Sequence, residues 1–356
     1  MEEKIMTTIA LRAYTKRKED KEKYSYRKNT TEEIDIHRYL VFDTETTIDC
    51  HQNLLFGSFR IYENEKLDYE GIFYADKISE AEKQILEKYA KEHQLPLLTR
   101  EELVDKVLYP EIYLLKTRCV GFNLPFDLSR VALKATYAKG KRFHNGFSLQ
   151  LSEDRRFPSI KIKHTASRKN LIGFGTPEVP YHKHFFKGYF IDVQNLACVL
   201  SDNQKISLKQ ACELFGVEHK KFTDVTHGKI TPDYIEYNRR DVEATHEVFE
   251  ALRKEFTLYG IDIPLHRIVS AASIGKALYQ KLGIQPFSKC NPTFPVTMSG
   301  FLTSSFYGGR CEVRYRKKPI EVTVLDFLSM YPSINLLLDL WNFVIAEKTE
   351  FKECTE

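Results

Sequence analysis

The stretch that decides the fold is YLVFDTETTID, residues 39–49. Its first four residues are apolar and strand-forming, which predicts a strand buried on both faces. Asp43 and Glu45 follow with one residue between them, and side chains at i and i+2 of a strand point to the same side. Two carboxylates at one buried strand end repel each other and lose hydration. We therefore expect a cation there, a Lys, an Arg or a metal ion; the alternative is a charged strand end that opens into a polar loop.

The composition is that of a folded globular protein. Of the 356 residues, 42% are hydrophobic and 29% are charged, and this length predicts about two domains. A formal net charge of +4 permits nucleic acid as a partner. The seven cysteines form no C-x-x-C pair, which argues against a zinc site and favours reduced thiols. Because the amino terminus has no apolar signal-peptide core, we expect a cytoplasmic protein with no membrane partner.

Helical and strand patterns alternate after a charged lead-in at residues 1–36, as an α/β fold requires. Two S/T-x-x-E capping boxes predict helices that begin near Ser79 and Thr99. These two helices are expected to separate the first strand from the next apolar run, TRCVGFN. Thr followed by Pro at 231–232 predicts a longer helix that continues to about Lys254.

A basic, polar stretch, Lys139–Lys187, interrupts this pattern. Within it, SIKIKH at 159–164 alternates strictly, which predicts a half-exposed strand in a hairpin-like insertion. The excess of positive charge predicts that the insertion contacts nucleic acid; the alternative is a solvated edge hairpin. GYFIDVQNL at 188–196 then predicts another buried strand.

Two further acids occupy positions that favour a site. In VGFNLPFDL a strand ends at Asn123, and Asp127 follows in the first turn of a helix, where an acid also suits the helix dipole. In the later long helix, Asp241 interrupts the stripe that should be buried, and Tyr237 lies one turn earlier on the same side. A buried carboxylate requires a cation, so Asp241 predicts either a salt bridge or a metal ion.

Together these residues offer oxygen ligands without His or Cys, the set that Mg²⁺ or Mn²⁺ prefers. Four carboxylates are the inventory needed to hold two such ions about 4 Å apart around a phosphodiester. Tyr237 is then a candidate to hold the attacking water by a hydrogen bond.

Three short motifs carry a resemblance to a known family. DTET, N-x-x-x-D from Asn123 to Asp127, and Y-x-x-x-D from Tyr237 to Asp241 resemble the Exo I, Exo II and Exo III motifs of the proofreading domain of family B DNA polymerases. That domain is a ribonuclease-H-like DEDDy 3′–5′ exonuclease of the α/β class. The resemblance therefore implies an α/β fold with a mixed sheet and a nuclease that acts on DNA 3′ ends.

The resemblance also implies a role for each matched residue. Tyr237 would orient the hydrolytic water, and Phe122 and Asn123 would contact the DNA strand near the scissile end. Two ions, Mg²⁺ or Mn²⁺, would be bound by the four acids of the three motifs, Asp43, Glu45, Asp127 and Asp241.

Two later stretches extend the resemblance to the polymerase itself. VTVLDFLSMYPSIN, at 322–335, resembles motif A of the palm, so Asp326 would bind the metals of nucleotide addition. The triphosphate site would be lined by Ser329, Met330 and Tyr331. SSFYGGRCEV resembles the Y-x-G-G linker that contacts template-primer DNA, with Phe306 where the pattern has Tyr. The contact residues in this linker would be Gly308, Gly309 and Arg310.

The resemblance predicts four segments: a lead-in at 1–36, the exonuclease domain at 37–256, a helical connection and linker at 257–320, and the start of the palm at 321–356. We expect the amino-terminal portion of a family B polymerase, because no motif B lysine or motif C aspartate pair follows motif A. The leading function is exonuclease action on single-stranded DNA ends. The alternatives are a template-primer-binding subunit whose palm a second chain completes, and an exonuclease that acts on RNA.

Overall fold

The computed structural model describes residues 37–166, 169–179, 186–201, 206–217, 225–261, 263–284, 292–297, 318–321, 323, 325 and 327–345. The chain divides into two compact units, of which one spans Thr31–Leu278 and the other includes the described residues from Tyr279 onward. The four segment boundaries predicted from the sequence stay predictions. Four predicted site residues lie outside the described residues: Gly308, Gly309, Arg310 and Asp326.

The described residues form ten strands in two sheets. In chain order they are β1 (Arg38–Thr46), β2 (Leu54–Glu63), β3 (Lys66–Tyr74), β4 (Leu97–Thr99), β5 (Arg118–Gly121), β6 (Lys134–Tyr137), β7 (Phe147–Gln150), β8 (Ile160–Ala166), β9 (Lys169–Phe174) and β10 (Phe190–Asp192).

The described helices follow β3, β4, β5 and β10 along the chain. They are α1 (Glu80–Glu92), α2 (Arg100–Glu102), α3 (Leu124–Arg130), α4 (Val193–Ser201), α5 (Leu208–Leu214), α6 (Pro232–Leu258), α7 (Ala271–Lys281), α8 (Met330–Leu337) and α9 (Trp341–Ile345). Two π-helical segments, Leu103–Leu108 and Pro110–Leu114, follow α2, and single 3₁₀ turns form at Lys141–Phe143 and Leu265–Arg267.

The larger sheet has six strands in the order β10-β5-β1-β2-β3-β4. Strands β1, β2 and β3 are joined antiparallel, whereas β5 and β10 run parallel to β1. Because β1, β5 and β10 are parallel, their carboxyl ends meet at one edge of the sheet. Residues that follow these three strands are therefore brought together.

Strand β1 lies at the centre of this sheet and is buried on both faces, as the sequence predicted. Its side chains alternate between two cores. Leu40 and Phe42 pack with the π-helical segments, and Tyr39 and Val41 pack with α4, α5 and α6. All four side chains are at most 1% exposed.

The smaller sheet has four antiparallel strands in the order β6-β7-β8-β9. The predicted strand at 159–164 is confirmed as β8, Ile160–Ala166. The basic stretch therefore belongs to a four-stranded sheet and not only to the predicted hairpin. This sheet begins before the stretch, at Lys134. Its core side chains include Leu149, Ile160 and Phe174.

The predicted helix starts at Ser79, Thr99 and Thr231 are confirmed, and each cap side chain accepts a backbone N–H from the first turn. The two predicted helices, α1 and α2, lie between β1 and β5 as expected, but the β2–β3 hairpin and β4, which were not predicted, lie there too. The strand predicted at 188–196 was too long. It ends at Asp192, where the chain turns directly into α4.

Candidate functional site

The end of β1 carries three consecutive polar side chains, and strand alternation sends them to opposite sides of the sheet. Asp43 and Glu45 face α6, where Asn238 donates an N–H to Asp43 Oδ2 over 2.7 Å and the Tyr234 hydroxyl donates to Glu45 Oε2. Thr44, between the two acids, faces α3. The expectation that Asp43 and Glu45 point to the same side is confirmed.

A buried polar pair holds Asp43 in place. Asn238 is fully buried on α6, and Ser58 on β2 is 2% exposed. The Ser58 hydroxyl donates to Asn238 Oδ1 over 2.6 Å, and Ser58 lies opposite Asp43 in the β1–β2 register. The regular register shifts just beyond, between Glu45 and Thr46, and such irregularities often re-aim side chains next to functional sites.

Asp127 reaches the same place from α3. It lies in the first turn of that helix, as the sequence predicted, and it is 2% exposed. The hydroxyl of Thr44 donates to Asp127 Oδ1 over 2.7 Å, and the Thr44 backbone N–H donates over 3.2 Å. Among the described residues, the other oxygen, Asp127 Oδ2, is buried and has no hydrogen-bond partner.

Asp241 and Tyr237 complete the group from α6. The Tyr237 hydroxyl donates a hydrogen bond to the Asp241 carboxylate, one turn along the helix. The nearby arginines pair with other acids: Arg239 with Glu70 and Glu236, and Arg240 with Glu236.

Burial raises the pKa values of all four acids, and neighbouring acid charges add to this effect at Asp43, Glu45 and Asp127. Burial raises the pKa of Asp43 well above its usual range, and the charges of Asp127, Glu45 and Asp241 add to that effect. Burial also raises the pKa of Glu45 to about 7, of Asp127 to about 8 and of Asp241 to about 6. Acids from β1, α3 and α6 therefore lie close enough to repel, as the sequence predicted, and a proton or a cation would relieve the repulsion.

The donor set fits a hard divalent cation in two respects. All its ligating atoms would be carboxylate oxygens, and the orphaned Asp127 Oδ2 offers an unsatisfied acceptor. In the part of the chain that is described, no group of three or more His, Cys, Asp or Glu side chains is arranged to hold a metal ion.

Sequence reasoning missed one acid at this edge of the sheet. Asp192 ends β10, and it accepts the backbone N–H of Asn123 over 3.1 Å and the side-chain N–H of Asn170 over 2.6 Å. Asn123 precedes α3 in a left-handed conformation, with φ 64°. Asp192 thus holds the turn that leads to Asp127. Its signal was present, because an Asp that ends a buried strand is the pattern that singled out Asp43.

The remaining predicted site residues have more exposed positions. Phe122 and Asn123 lie half-buried between β5 and α3. In the smaller unit, Ser329 caps α8 in a left-handed conformation, with φ 55°, and Met330 and Tyr331 are exposed in its first turn.

No helix in the described part of the chain is long and apolar enough to cross a membrane. Comparison with curated proteins finds no match.

Comparison with protein families gives one match. Residues 180–340 match the family described as DNA polymerase type B, organellar and viral. The matched range includes Tyr237, Asp241 and the motif A stretch, whereas Asp43 and Asp127 precede it. The match supports a polymerase-related function for an enzyme that acts on DNA, and members of this family typically use divalent metals. Over residues 180–340 the chain is therefore similar to family B DNA polymerases, which bears out the resemblance found in the sequence over that range.

Proposed function

We propose that the Thr31–Leu278 unit is a metal-dependent 3′–5′ exonuclease with a ribonuclease-H-like fold, which removes nucleotides from single-stranded DNA ends. The observation that carries the proposal is the convergence of four acids from β1, α3 and α6, with Tyr237 bonded to one of them. Pure binding has no need of such a group, because clustered carboxylates repel phosphate.

The sheet order supports this fold. An antiparallel meander, β1 to β3, is followed by two strands, β5 and β10, that run parallel to β1. This arrangement brings the residues after β1 and β5 to the same edge, where α6 packs across them. Asp43, Glu45, Asp127 and Asp241 would hold the ions there.

Two divalent ions, when bound, supply an acidified attacking water and charge stabilisation for the leaving oxygen. The chain's own contribution is to hold its carboxylates in fixed positions. Asn238 fixes Asp43, Tyr234 fixes Glu45 and Thr44 fixes one oxygen of Asp127, which leaves Asp127 Oδ2 free to face a cation. Burial of Asp127 and partial burial of Asp43 and Glu45 reduce their contact with bulk water, which strengthens the charge interactions among them.

Tyr237 has a distinct role in this proposal. Its hydroxyl hydrogen-bonds Asp241, and burial and the nearby acids raise its pKa, so that it stays protonated at neutral pH. A protonated phenol can donate to one partner and accept from another. Tyr237 would therefore accept from the attacking water while it donates to Asp241, and so orient the water rather than remove its proton.

For the second unit we propose the role that the motif A resemblance implies. Asp326 would bind metal for nucleotide addition, and the segment Ser329–Tyr331 would line a triphosphate site, with Gly308, Gly309 and Arg310 on the template-primer. These roles belong to a different reaction from the one proposed for Asp43.

The test is a degradation assay on single-stranded oligonucleotides labelled at the 5′ end, in Mg²⁺ or Mn²⁺ and in EDTA. A 3′–5′ exonuclease yields a descending ladder with metal and intact substrate in EDTA. A matched RNA strand in a parallel reaction decides between the two nucleic acids. Replacement of Asp43 and Glu45 together by Ala should abolish the ladder, since removal of ligands forfeits several kcal/mol of transition-state stabilisation.

The matched control is Glu87→Ala with Glu92→Ala, two exposed acids on α1 that pair with lysines one turn away. This variant should degrade DNA at the parent rate. Degradation at the parent rate by the Asp43 and Glu45 double variant would mean that the site is elsewhere. Metal-independent binding without any degradation would favour the template-primer-binding subunit.

A further inference from the structure

Two exposed aromatic side chains lie side by side on the edge of the smaller sheet. Tyr137 is 84% exposed and Phe147 is 50% exposed, and the two residues are partners in the β6–β7 register. Directly opposed residues of an antiparallel pair have Cβ atoms about 5 Å apart on the same face. The pair therefore presents one contiguous aromatic surface to solvent.

This surface continues the apolar face of the sheet. Phe147 is opposite Ile162 in β8, and Ile162 is opposite Ile172 in β9, so all three share a face with Tyr137. Ile162 is 3% exposed and packs in the core. The apolar face is covered at Ile162 in β8 and exposed at Tyr137 in the edge strand β6 and at Phe147 in β7, a pattern that indicates an interaction surface.

The same face leads to the acid site. Asn170 is two residues before Ile172 in β9 and so lies on this face. Its side-chain N–H donates to Asp192 over 2.6 Å, and Asp192 holds the turn at Asn123 that precedes Asp127. The aromatic pair is thus on the side of the small sheet that adjoins the proposed site.

The charge around the pair suits nucleic acid. The connection from Tyr137 to Phe147 carries Lys139, Lys141 and Arg142, all exposed. Residues 134–174 contain ten Lys or Arg and only two Asp or Glu, a net charge of +8. Because the whole chain has a net charge of +4, the other residues together are net negative. Positive charge is therefore concentrated on the segment that presents the aromatic rings.

We propose that Tyr137 and Phe147 form a stacking platform for bases of the single strand whose 3′ end lies at the four acids. The basic side chains of the β6–β7 connection neutralise the phosphates of the same strand. Aromatic side chains beside a positively charged track bind single strands in a sequence-tolerant way, because every base has a stacking face. The proposal rests on the proposed function and adds a path for its substrate.

The experiment compares binding of two fluorescent oligonucleotides of equal length in EDTA, so that nothing is degraded. One carries bases throughout and the other carries abasic sites, with the same phosphate charge. The parent should bind the base-bearing strand at least about fivefold more tightly, since one stacked base contributes from about fivefold to over a hundredfold. Tyr137→Ala with Phe147→Ala should remove this preference and leave abasic binding unchanged.

Two controls keep the result specific. Tyr137→Phe retains a stacking ring and should retain the preference. Tyr259→Ala removes a partly exposed ring at the far end of α6, 22 residues and about 33 Å along the helix from Tyr237, and should change nothing. A preference retained by the double Ala variant, or an equal loss on both strands, overturns the proposal; an equal loss indicates a protein-facing edge or a folding defect instead.

A single-nucleotide substrate separates this proposal from the exonuclease itself. The p-nitrophenyl ester of thymidine 5′-monophosphate, tested with Mg²⁺, carries one nucleotide and offers no further strand for the platform to bind. The double Ala variant should hydrolyse it at the parent rate. If the parent fails to hydrolyse any substrate but keeps the base preference, the exonuclease proposal fails and the platform stands.

Discussion

Asn238 donates its side-chain N–H to the Asp43 carboxylate over 2.7 Å from a fully buried position on α6. An ionised carboxylate can only accept, so the amide turns its N–H towards Asp43, and the amide oxygen accepts the Ser58 hydroxyl over 2.6 Å. A donor rather than an acceptor therefore faces Asp43. This hydrogen bond aims one carboxylate oxygen of Asp43 in an environment where the neighbouring acids repel it.

Asn238→Leu tests this positioning role. The substitution keeps the number and branching of the side-chain heavy atoms and removes the donor, so we expect the exonuclease rate to fall about 10- to 100-fold, the usual effect of losing a partner that orients a metal ligand. The measurement is kcat and KM on a labelled single strand across a Mg²⁺ titration. If Asn238 positions a metal ligand, the variant needs a higher Mg²⁺ concentration than the parent to reach its half-maximal rate.

The control for Asn238→Leu separates positioning from stability. The single variant leaves the buried Ser58 hydroxyl without its acceptor, at a cost of about 1 to 3 kcal/mol in unfolding free energy. Adding Ser58→Ala removes that orphan and should recover most of the stability without recovering activity. Activity that returns together with stability would show that Asn238 is only a core residue.

Tyr237→Phe should lower the exonuclease rate by about 10² to 10⁴, the range for a group that positions or transfers a proton. The hydroxyl is the only group removed, and its one described partner in this site is Asp241. Single-turnover rates at saturating DNA measure the effect, because DNA affinity should stay constant.

Tyr234→Phe is the matched control, since Tyr234 lies one turn earlier on α6 and bonds a different acid, Glu45. In this proposal its hydroxyl holds a metal ligand and does not contact the attacking water, so the exonuclease rate should fall less, about 10- to 100-fold. The result that would contradict the role of Tyr237 is a rate for Tyr237→Phe equal to that of the parent.

The acids were predictable because their evidence is local. An apolar run followed by D-x-E predicts a buried strand with two acids on one side, and helical spacing predicts the buried positions of α6. Both expectations depend on residues within one element. The structure confirms that Asp43 and Glu45 share one side of β1, and it places Asp241 near them, although Tyr237 and Asp241 are half-buried rather than buried.

The β2–β3 hairpin was not predicted, because its turn lacks the usual sequence. Asn64 and Glu65 both have positive φ, 50° and 66°, as a two-residue type I′ turn requires. The second position of such a turn usually holds Gly. Because Glu65 stands there instead, the sequence does not show the pattern that predicts a hairpin. Asn238 was missed for a different reason, since its partners Asp43 and Ser58 are 195 and 180 residues away and no local pattern joins them.

The two faces of the small sheet should differ in their effect on salt dependence. Lys139, Lys141 and Arg142 lie in the connection beside the aromatic pair. Their replacement by Gln should reduce the slope of log affinity against log salt by up to about 2, since each phosphate contact on a single strand contributes about 0.7. Binding is measured in EDTA at several salt concentrations.

A matched triple variant lies on the opposite face of the same sheet and has the same charge change: Lys134→Gln, Lys163→Gln and Lys169→Gln. We expect a smaller change in slope from this variant. Equal slopes for the parent and the first variant would favour the solvated edge hairpin, the alternative left open by the sequence.

Stability should depend on pH through His246. The Tyr39 hydroxyl donates its one proton to Glu250 over 2.6 Å, so at the 2.9 Å contact it accepts from His246 Nδ1–H. The imidazole also stacks on Tyr62, with ring centroids 3.7 Å apart. Burial and the charge of Arg60 lower the pKa of His246 to about 4, so the neutral form is the one that the fold accommodates.

The sign follows from the two pKa values. The unfolded chain binds a proton at His246 below about pH 6.5, whereas the folded protein does so only near pH 4, so this contribution to stability is full above 6.5 and is lost as pH falls towards 4. The full contribution to the unfolding free energy is about 3 kcal/mol.

His246→Phe keeps a ring against Tyr62 but cannot titrate. Urea unfolding from pH 7.5 to 4 should therefore show that the parent's unfolding free energy falls relative to that of the variant by up to this amount. The buried acids have raised pKa values and act in the opposite direction, but their effect is common to both proteins and cancels in the difference. An advantage that stays constant across this range would mean that His246 is protonated in the folded protein as readily as in the unfolded chain.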